Sequence, residues 1–192
     1  MLPPFDFRQA ASRFATGVAV VTAAPLSGPV GMTVSSLTSV SLQPPLLLVC
    51  LQRRSRSAAY FRDADHFGVN VLFAHQEKLS ERFAKGIGDR FEGIPWSVGR
   101  TGVPLLGDAL ATFECCRCDC VPGGDHDIII GEVLHVTAQS GIPLVRFGSA
   151  YHELKTPGSP DRLTPDIRYA GIITPDDAGN RKCGDSADGG VG

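Results

Sequence analysis

The sequence predicts a mainly β fold, an antiparallel β-barrel with accessory helices, and three observations carry that expectation. Short strand-like runs recur along the chain, among them Val18–Ala23, Leu46–Leu51 and Phe67–Phe73. The elements read in order as β-β-β-α-β-α-β-β-β, with short connections and only two or three helices. A parallel α/β sheet would need a helical crossover between successive strands, and this order lacks them. No GxGxxG opens a helix after a strand, so a Rossmann site is not supported, and no internal repeat is present.

With 192 residues the chain can bury one sizeable core. Its 43% hydrophobic and 20% charged fractions are those of an ordinary globular protein. A net charge of −2 provides no footprint for nucleic acid or an anionic membrane. The opening MLPPFDFRQA has neither a basic nor an apolar signal-peptide region. No apolar run approaches the roughly 20 residues of a membrane span. A cytoplasmic protein without nucleic-acid or membrane partners is therefore expected.

The first element, Phe5–Ala15, spaces apolar residues at 7, 10, 11 and 14 and predicts a helix ended by Gly17. Val18–Ala23 predicts a strand, and Pro25–Gly31 a loop. Ser55 or Ser57 is placed to cap a short helix reaching Ala64. Phe67–Phe73 predicts a strand, and His75–Lys85 an amphipathic helix with Leu79 and Phe83 on one face. Gly86–Pro104 reads as irregular. Three strands follow, Ala109–Val121, Asp127–Ala138 and Pro143–Phe147, the first two joined as a hairpin through Gly123–Gly124. The domain expected from these elements covers residues 1–154. Residues 155–192 are rich in Pro, Gly and Asp and read as an extended or partly disordered tail, with Tyr169–Ile173 its one apolar cluster.

The stretch Gly31–Leu51 organises the chain. Met32 and Val34 alternate with Thr33 and Ser35, but Ser36–Leu37 shifts the apolar phase and Val40 and Leu42 shift it back. Such a slip predicts a bulged strand with unpaired backbone groups, which either solvent or a ligand must satisfy.

Three polar groupings could carry chemistry. Hydroxyls cluster at Thr33, Ser35, Ser36, Thr38, Ser39 and Ser41, a pattern that also suits a solvated strand face. Arg53, Arg54, Ser55, Arg56 and Ser57 precede a predicted helix, and hydroxyls, guanidiniums and free amides suit a phosphate. Gly123–Asp127 places His126 at the entrance of an Ile-rich strand. The cysteines of Glu114–Cys120 do not suit zinc. On a strand, Cys116, Cys118 and Cys120 would share a face at roughly 6.5–7 Å intervals, too far apart for tetrahedral thiolate ligation. They read as small residues of a strand face, with no metal and no disulfide expected.

Together these segments resemble the flavin reductase family, the short-chain split-barrel reductases that supply reduced flavin to two-component monooxygenases. The resemblance rests on FATGVAVVTA (Phe14–Ala23), GMTVSSLTSVSLQPPLLLVCL (Gly31–Leu51), Ser55–Ser57 and FGVNVL (Phe67–Leu72). It continues through SERFA (Ser80–Ala84), DRFEGIPW (Asp89–Trp96), GGDHDIIIGEV (Gly123–Val133) and FGSAYHEL (Phe147–Leu154). It implies an FMN-binding split barrel of Greek-key type, acting as a homodimer that reduces FMN or FAD with NADH or NADPH. Reduced flavin would then pass to a separate oxygenase component.

The resemblance also implies site roles. Thr33, Val34, Ser35 and Ser36 would meet the isoalloxazine ring, whose edge mixes neutral acceptors and a donor that amides and hydroxyls match without burying charge. Cys50, Leu51, Gln52, Ser55 and Ser57 would follow the ribityl chain and phosphate, with Phe83, Ala84 and Arg90 closing the other side. His126 would position the nicotinamide or deliver a proton, and Tyr151 would shape the pocket. Two further readings keep the same residues: a flavin-binding carrier or sensor, and an oxidase acting on its own organic substrate.

Overall fold

The computed structural model describes residues 4–85 and 87–154. In chain order the elements are α1 (Pro4–Ala11), β1 (Thr16–Gly17), β2 (Ala19–Ala23), β3 (Val30–Val34), β4 (Thr38–Leu42) and β5 (Pro45–Gln52). Next come α2 (Ala58–Asp63), β6 (His66–Val71), and a 3-10 turn (Ala74–Gln76) leading into α3 (Glu77–Lys85). The remainder is β7 (Trp96–Val98), β8 (Pro104–Leu106), β9 (Ala111–Gly123), β10 (His126–Ala138), β11 (Leu144–Phe147) and β12 (Ala150–Glu153). The fold is mainly β with accessory helices, as expected. The sequence-predicted tail, including Tyr169–Ile173, lies outside the described residues.

Seven strands form the main sheet in the order β3-β2-β6-β9-β10-β5-β4, every neighbouring pair antiparallel. The two outermost strands, β3 and β4, are consecutive in the chain and separated by only Ser35–Leu37. Flat, such a sheet would hold its outer strands about 29 Å apart. The link reaches about 14 Å at most. The sheet must therefore curl until its edges face each other, which produces a barrel with a split.

The continuous apolar run at β2 follows from burial on both faces. Ala19, Val21 and Ala23 enter a core with Val49, Leu51, Phe61, Phe67 and Ile129. Val18 and Val20 point oppositely, into a second core with Leu72, Phe83, Phe91 and Leu144. The second core is closed by α3, whose Leu79 and Phe83 face inward as their spacing predicts.

Four expectations need correction. The first helix ends at Ala11 rather than Ala15, and the chain then winds through turns that leave Phe14 exposed. Gly86–Pro104 is not wholly irregular, because Trp96–Val98 pairs with Pro104–Leu106. Strand β12 was not anticipated; its exposed residues carry little periodic signal, and it pairs with β11 through the tight turn Gly148–Ser149. The phase slip at Ser36–Leu37 is a break between two strands rather than a bulge within one.

The cysteine-rich strand also departs from simple alternation. A register shift between Ile130 and Gly131 passes over Cys118 and inverts the phase of β9. Cys115 and Cys120, five positions apart, consequently pack on the same core. Burial raises the pKa of both thiols, assisted by Glu114 at Cys115 and by Asp127 at Cys120. They are inert core groups. Cys50, Cys115, Cys116 and Cys120 are not in disulfides, whereas Cys118 is disulfide-bonded, against expectation. Among the described residues no cluster suits a metal ion, and no helix is long and apolar enough to cross a membrane.

Gly131 allows β10 to cross the Phe67 ring, because a Cβ there would stand 2.6 Å from its carbons. Phe67 is only 1% exposed and has no room to retreat. Gly131→Ala is expected to destabilise the fold by about 1–3 kcal/mol, the usual range for overpacking. Urea unfolding measures this directly; an unchanged midpoint would contradict the packing.

Candidate functional site

The split between the sheet edges is the natural place for a ligand. Among the described residues strand β3 pairs only with β2, which leaves its other edge unpaired by them. Beyond it the ladder between β4 and β5 ends at Thr38–Leu48. Two residues further along β5, the Ser36 hydroxyl accepts a hydrogen bond from the Cys50 amide at 2.9 Å and donates to the Cys50 carbonyl at 3.1 Å. A side chain here replaces a strand neighbour, so the chain crosses the split without orphaning the Cys50 backbone.

Helix α3 supports the open strand from behind. Thr33 Oγ1 donates to the Ser80 carbonyl at 2.6 Å, and the Ser80 and Tyr151 hydroxyls are 2.8 Å apart. The Arg90 guanidinium donates to the carbonyls of both Gly31 and Phe83 at 2.9 Å, tying β3 to α3. Gly31 is required at this contact, where a Cβ would lie 2.7 Å from the Phe83 ring.

These supports frame a pocket of about 480 Å³, a volume within the range of small-molecule sites. It brings together the predicted residues Thr33, Val34, Ser35, Ala84 and Tyr151. It also contains Glu77, Glu81, Lys85, Arg146 and Ser149, which the sequence reading did not single out. Their signal was present: Glu77, Glu81 and Lys85 recur every four residues along one stripe of α3, which resembles a solvated helix face. Arg146 lies 5.4 Å from the Tyr151 ring centre and packs over it.

The predicted phosphate cradle follows the end of β5. Ser55 approaches the Met32 sulfur at 4.0 Å, which places the loop against β3. Ser57 occupies the N-cap of α2, but its hydroxyl makes no capping bond and is free for another acceptor. Helix α2 has only six residues, so its dipole adds little and the cations must supply most of the field. Burial and the neighbouring Arg56 hold the Arg90 pKa below its ordinary value.

Asp127 anchors this loop and was not anticipated. Its side chain is 3% exposed, and Oδ1 accepts from Arg53 Nε at 2.8 Å. Oδ2 has no hydrogen bond, with Arg62 Nε next to it at 3.7 Å. Arg53 also donates its amide to the Asp125 carbonyl at 3.0 Å, which ties the cradle to the β9–β10 turn. On that turn His126 pairs across the sheet with Gln52. His126 Nδ1 is 2.7 Å from Asp125 Oδ1, and this hydrogen bond lowers the Asp125 pKa. An ionised carboxylate only accepts, so Nδ1 donates this bond.

Not every predicted site residue presents its side chain. Phe83 and Leu51 are 0% and 1% exposed, and both fill the core. Val34 is buried as well, so it too would meet a ligand through its main chain. Ser36 and Arg90 have structural bonds to keep. His126 is not among the residues lining the pocket that contains Tyr151.

A curled antiparallel sheet, split at a strand edge and carrying accessory helices, defines a split-barrel protein. The sequence comparisons agree: the Flavin reductase like domain matches residues 11–155, and the chain belongs to that family. It is 45% identical over 146 residues to the FMN reductase (NADH) SmoA of Agrobacterium fabrum, covering 76% of this chain and 83% of that protein. It is 38% identical over 147 residues to the 4-nitrophenol 4-monooxygenase/4-nitrocatechol 2-monooxygenase reductase component of Rhodococcus opacus, covering 75% and 79%. A Rhizobium meliloti relative is 48% identical over 131 residues, but the match covers 68% of this chain and only 42% of that longer protein. Among solved structures, the Streptomyces globisporus NADH:FAD oxidoreductase SgcE6, in complex with NAD and FAD fragments, superposes with a TM-score of 0.77 at 35% identity. That match covers 83% of this chain and 99% of the other.

Removing the Arg53 side chain leaves the buried Asp127 carboxylate without its short hydrogen bond. Arg53→Ala is expected to lower unfolding free energy by about 2 kcal/mol, within the range for hydrogen bonds to charged groups. Chemical denaturation provides the check, and a change below about 0.5 kcal/mol would show that Arg62 or solvent replaces it.

Proposed function

We propose that the chain is an NAD(P)H-dependent flavin reductase that reduces FMN or FAD and releases it to a separate flavin-dependent monooxygenase. The observation that carries this reading is the β3 edge at Thr33–Ser35, left unpaired by the described residues and lining a 480 Å³ pocket, with the arginine-bearing loop set against the same strand through Ser55 and Met32. The names of the Agrobacterium fabrum and Rhodococcus opacus relatives support the reductase activity and the monooxygenase partnership respectively.

The residues suit the flavin. Unpaired amides and carbonyls of β3 match a ring edge of mixed donors and acceptors, with no buried charge to desolvate. Ser55, Ser57 and Arg56 provide hydroxyls and a cation for a phosphate. Flavin supplies the hydride-accepting chemistry, taking a hydride from the dihydronicotinamide and a proton from solvent or an acid. The protein has then to bind, align and exclude water. Tyr151, held by Ser80 and covered by Arg146, shapes the ring pocket. His126, its Nδ1 held by Asp125, positions the nicotinamide or delivers the proton.

A homodimer belongs to the same reading. Val40 and Leu42 on the edge strand β4 are 48% and 84% exposed, and a second subunit would cover them. A cytoplasmic setting, where flavin and nicotinamide pools meet, completes it.

Oxidation of NADH and NADPH with riboflavin, FMN or FAD tests the function. Turnover is expected, and its absence with every pair would leave a flavin-binding carrier. His126→Ala is expected to lower kcat/KM for the nicotinamide about tenfold or more, with flavin Kd changed less than about twofold. Parallel losses in both would mark His126 as structural.

A further inference from the structure

Resting on the reductase reading, we propose that Arg8 and Arg13 form a subsite for the diphosphate of the reduced nicotinamide dinucleotide. A second cavity, of about 310 Å³, is lined by Arg8, Gln9, Ser12, Arg13, Gly148 and Ser149. Ser149 also lines the ring pocket, so the β11–β12 turn is a wall common to both cavities. A nicotinamide stacked in the ring pocket must carry its ribose and diphosphate out past one of the pocket's walls. At the Ser149 wall those phosphates would meet two guanidiniums.

The charge distribution favours this exit. The ring pocket contains Glu77 and Glu81 as well as Lys85 and Arg146. Among the described residues the second cavity is lined by two cations and no carboxylate. Neither Arg8 nor Arg13 has a carboxylate partner among the described residues. Guanidiniums present several donors to phosphate oxygens and hold their charge at any working pH.

The backbone brings these side chains together. Arg8 lies in the last turn of α1, whose winding continues through Ser12 N–H to Arg8 C=O and Arg13 N–H to Ala10 C=O. The Gly148 amide donates to the Ser12 carbonyl at 2.8 Å, docking this segment on the β11–β12 turn. Ser149 has φ 68°, a left-handed conformation unfavourable for a residue with a Cβ. The turn thus keeps a hydroxyl, at some conformational cost, in the wall that the two cavities share. All of these links are main-chain features, so the arginines can be replaced without undoing the docking.

The test compares two reductants for the full chain with FMN: NADH, and N-benzyl dihydronicotinamide, which has the reacting ring and no phosphate. Arg8→Gln and Arg13→Gln are made singly and together. In the double variant kcat/KM for NADH is expected to fall about tenfold relative to that for the phosphate-free donor, the scale of one or two charge-assisted hydrogen bonds. The increase of NADH KM with salt should also become shallower than in the parent protein. An unchanged ratio between donors would overturn the subsite, as would an equal loss with both, which marks a structural role. If the parent protein oxidises neither donor, the reductase reading falls first and the subsite with it, a result visible before any substitution is made.

Discussion

Three residues, Ser35–Leu37, must connect the two opposite edges of a seven-stranded sheet. From that short link follow the curl of the sheet, the split between its edges and the unpaired side of β3. A longer connection would allow the sheet to lie open and leave its edges free to pair elsewhere. A continuous ladder across the gap would close the barrel and remove the backbone groups that a ring can meet. Ser36 resolves the conflict by satisfying one residue of β5 with a hydroxyl, while the neighbouring residues of β3 remain unpaired on one side.

The rest of the site consists of supports for that edge. Arg90, Gly31 and Phe83 fasten β3 to α3, and Ser80 couples the same helix to Thr33 and Tyr151. On the other flank, Asp127 joins the arginine-bearing loop to the turn that carries His126. Each group that would meet a ligand is therefore held by something that would not. Such preorganisation suits hydride transfer between two bound rings, where alignment matters more than any protein acid or base.

Much of this was legible in the sequence, for identifiable reasons. The run Leu46–Leu51 and the apolar stretch at β2 announced buried strands, and the phase slip beside Ser36 marked where regular pairing stops. The slip did not reveal that its two sides belong to opposite sheet edges, because pairing is a long-range property. Alternation misread β9 for a related reason: the shift at Cys118 depends on its partner strand. The polar stripe of α3 looked solvated because helical periodicity shows which residues share a face but not what the face borders. The resemblance sets Phe83 and Leu51 along the flavin, and their burial leaves only the main chain for such a contact.

The central claim is that the open edge of β3 recognises the flavin ring through its main chain. Hydrogen exchange of the backbone amides, with and without saturating FMN, measures this most directly. The amides of Thr33–Ser36 should gain protection, and riboflavin should produce the same gain there, because the ring alone makes those contacts. Protection confined to the Arg53–Ser57 loop, or none at Thr33–Ser36 with flavin bound, would contradict the account.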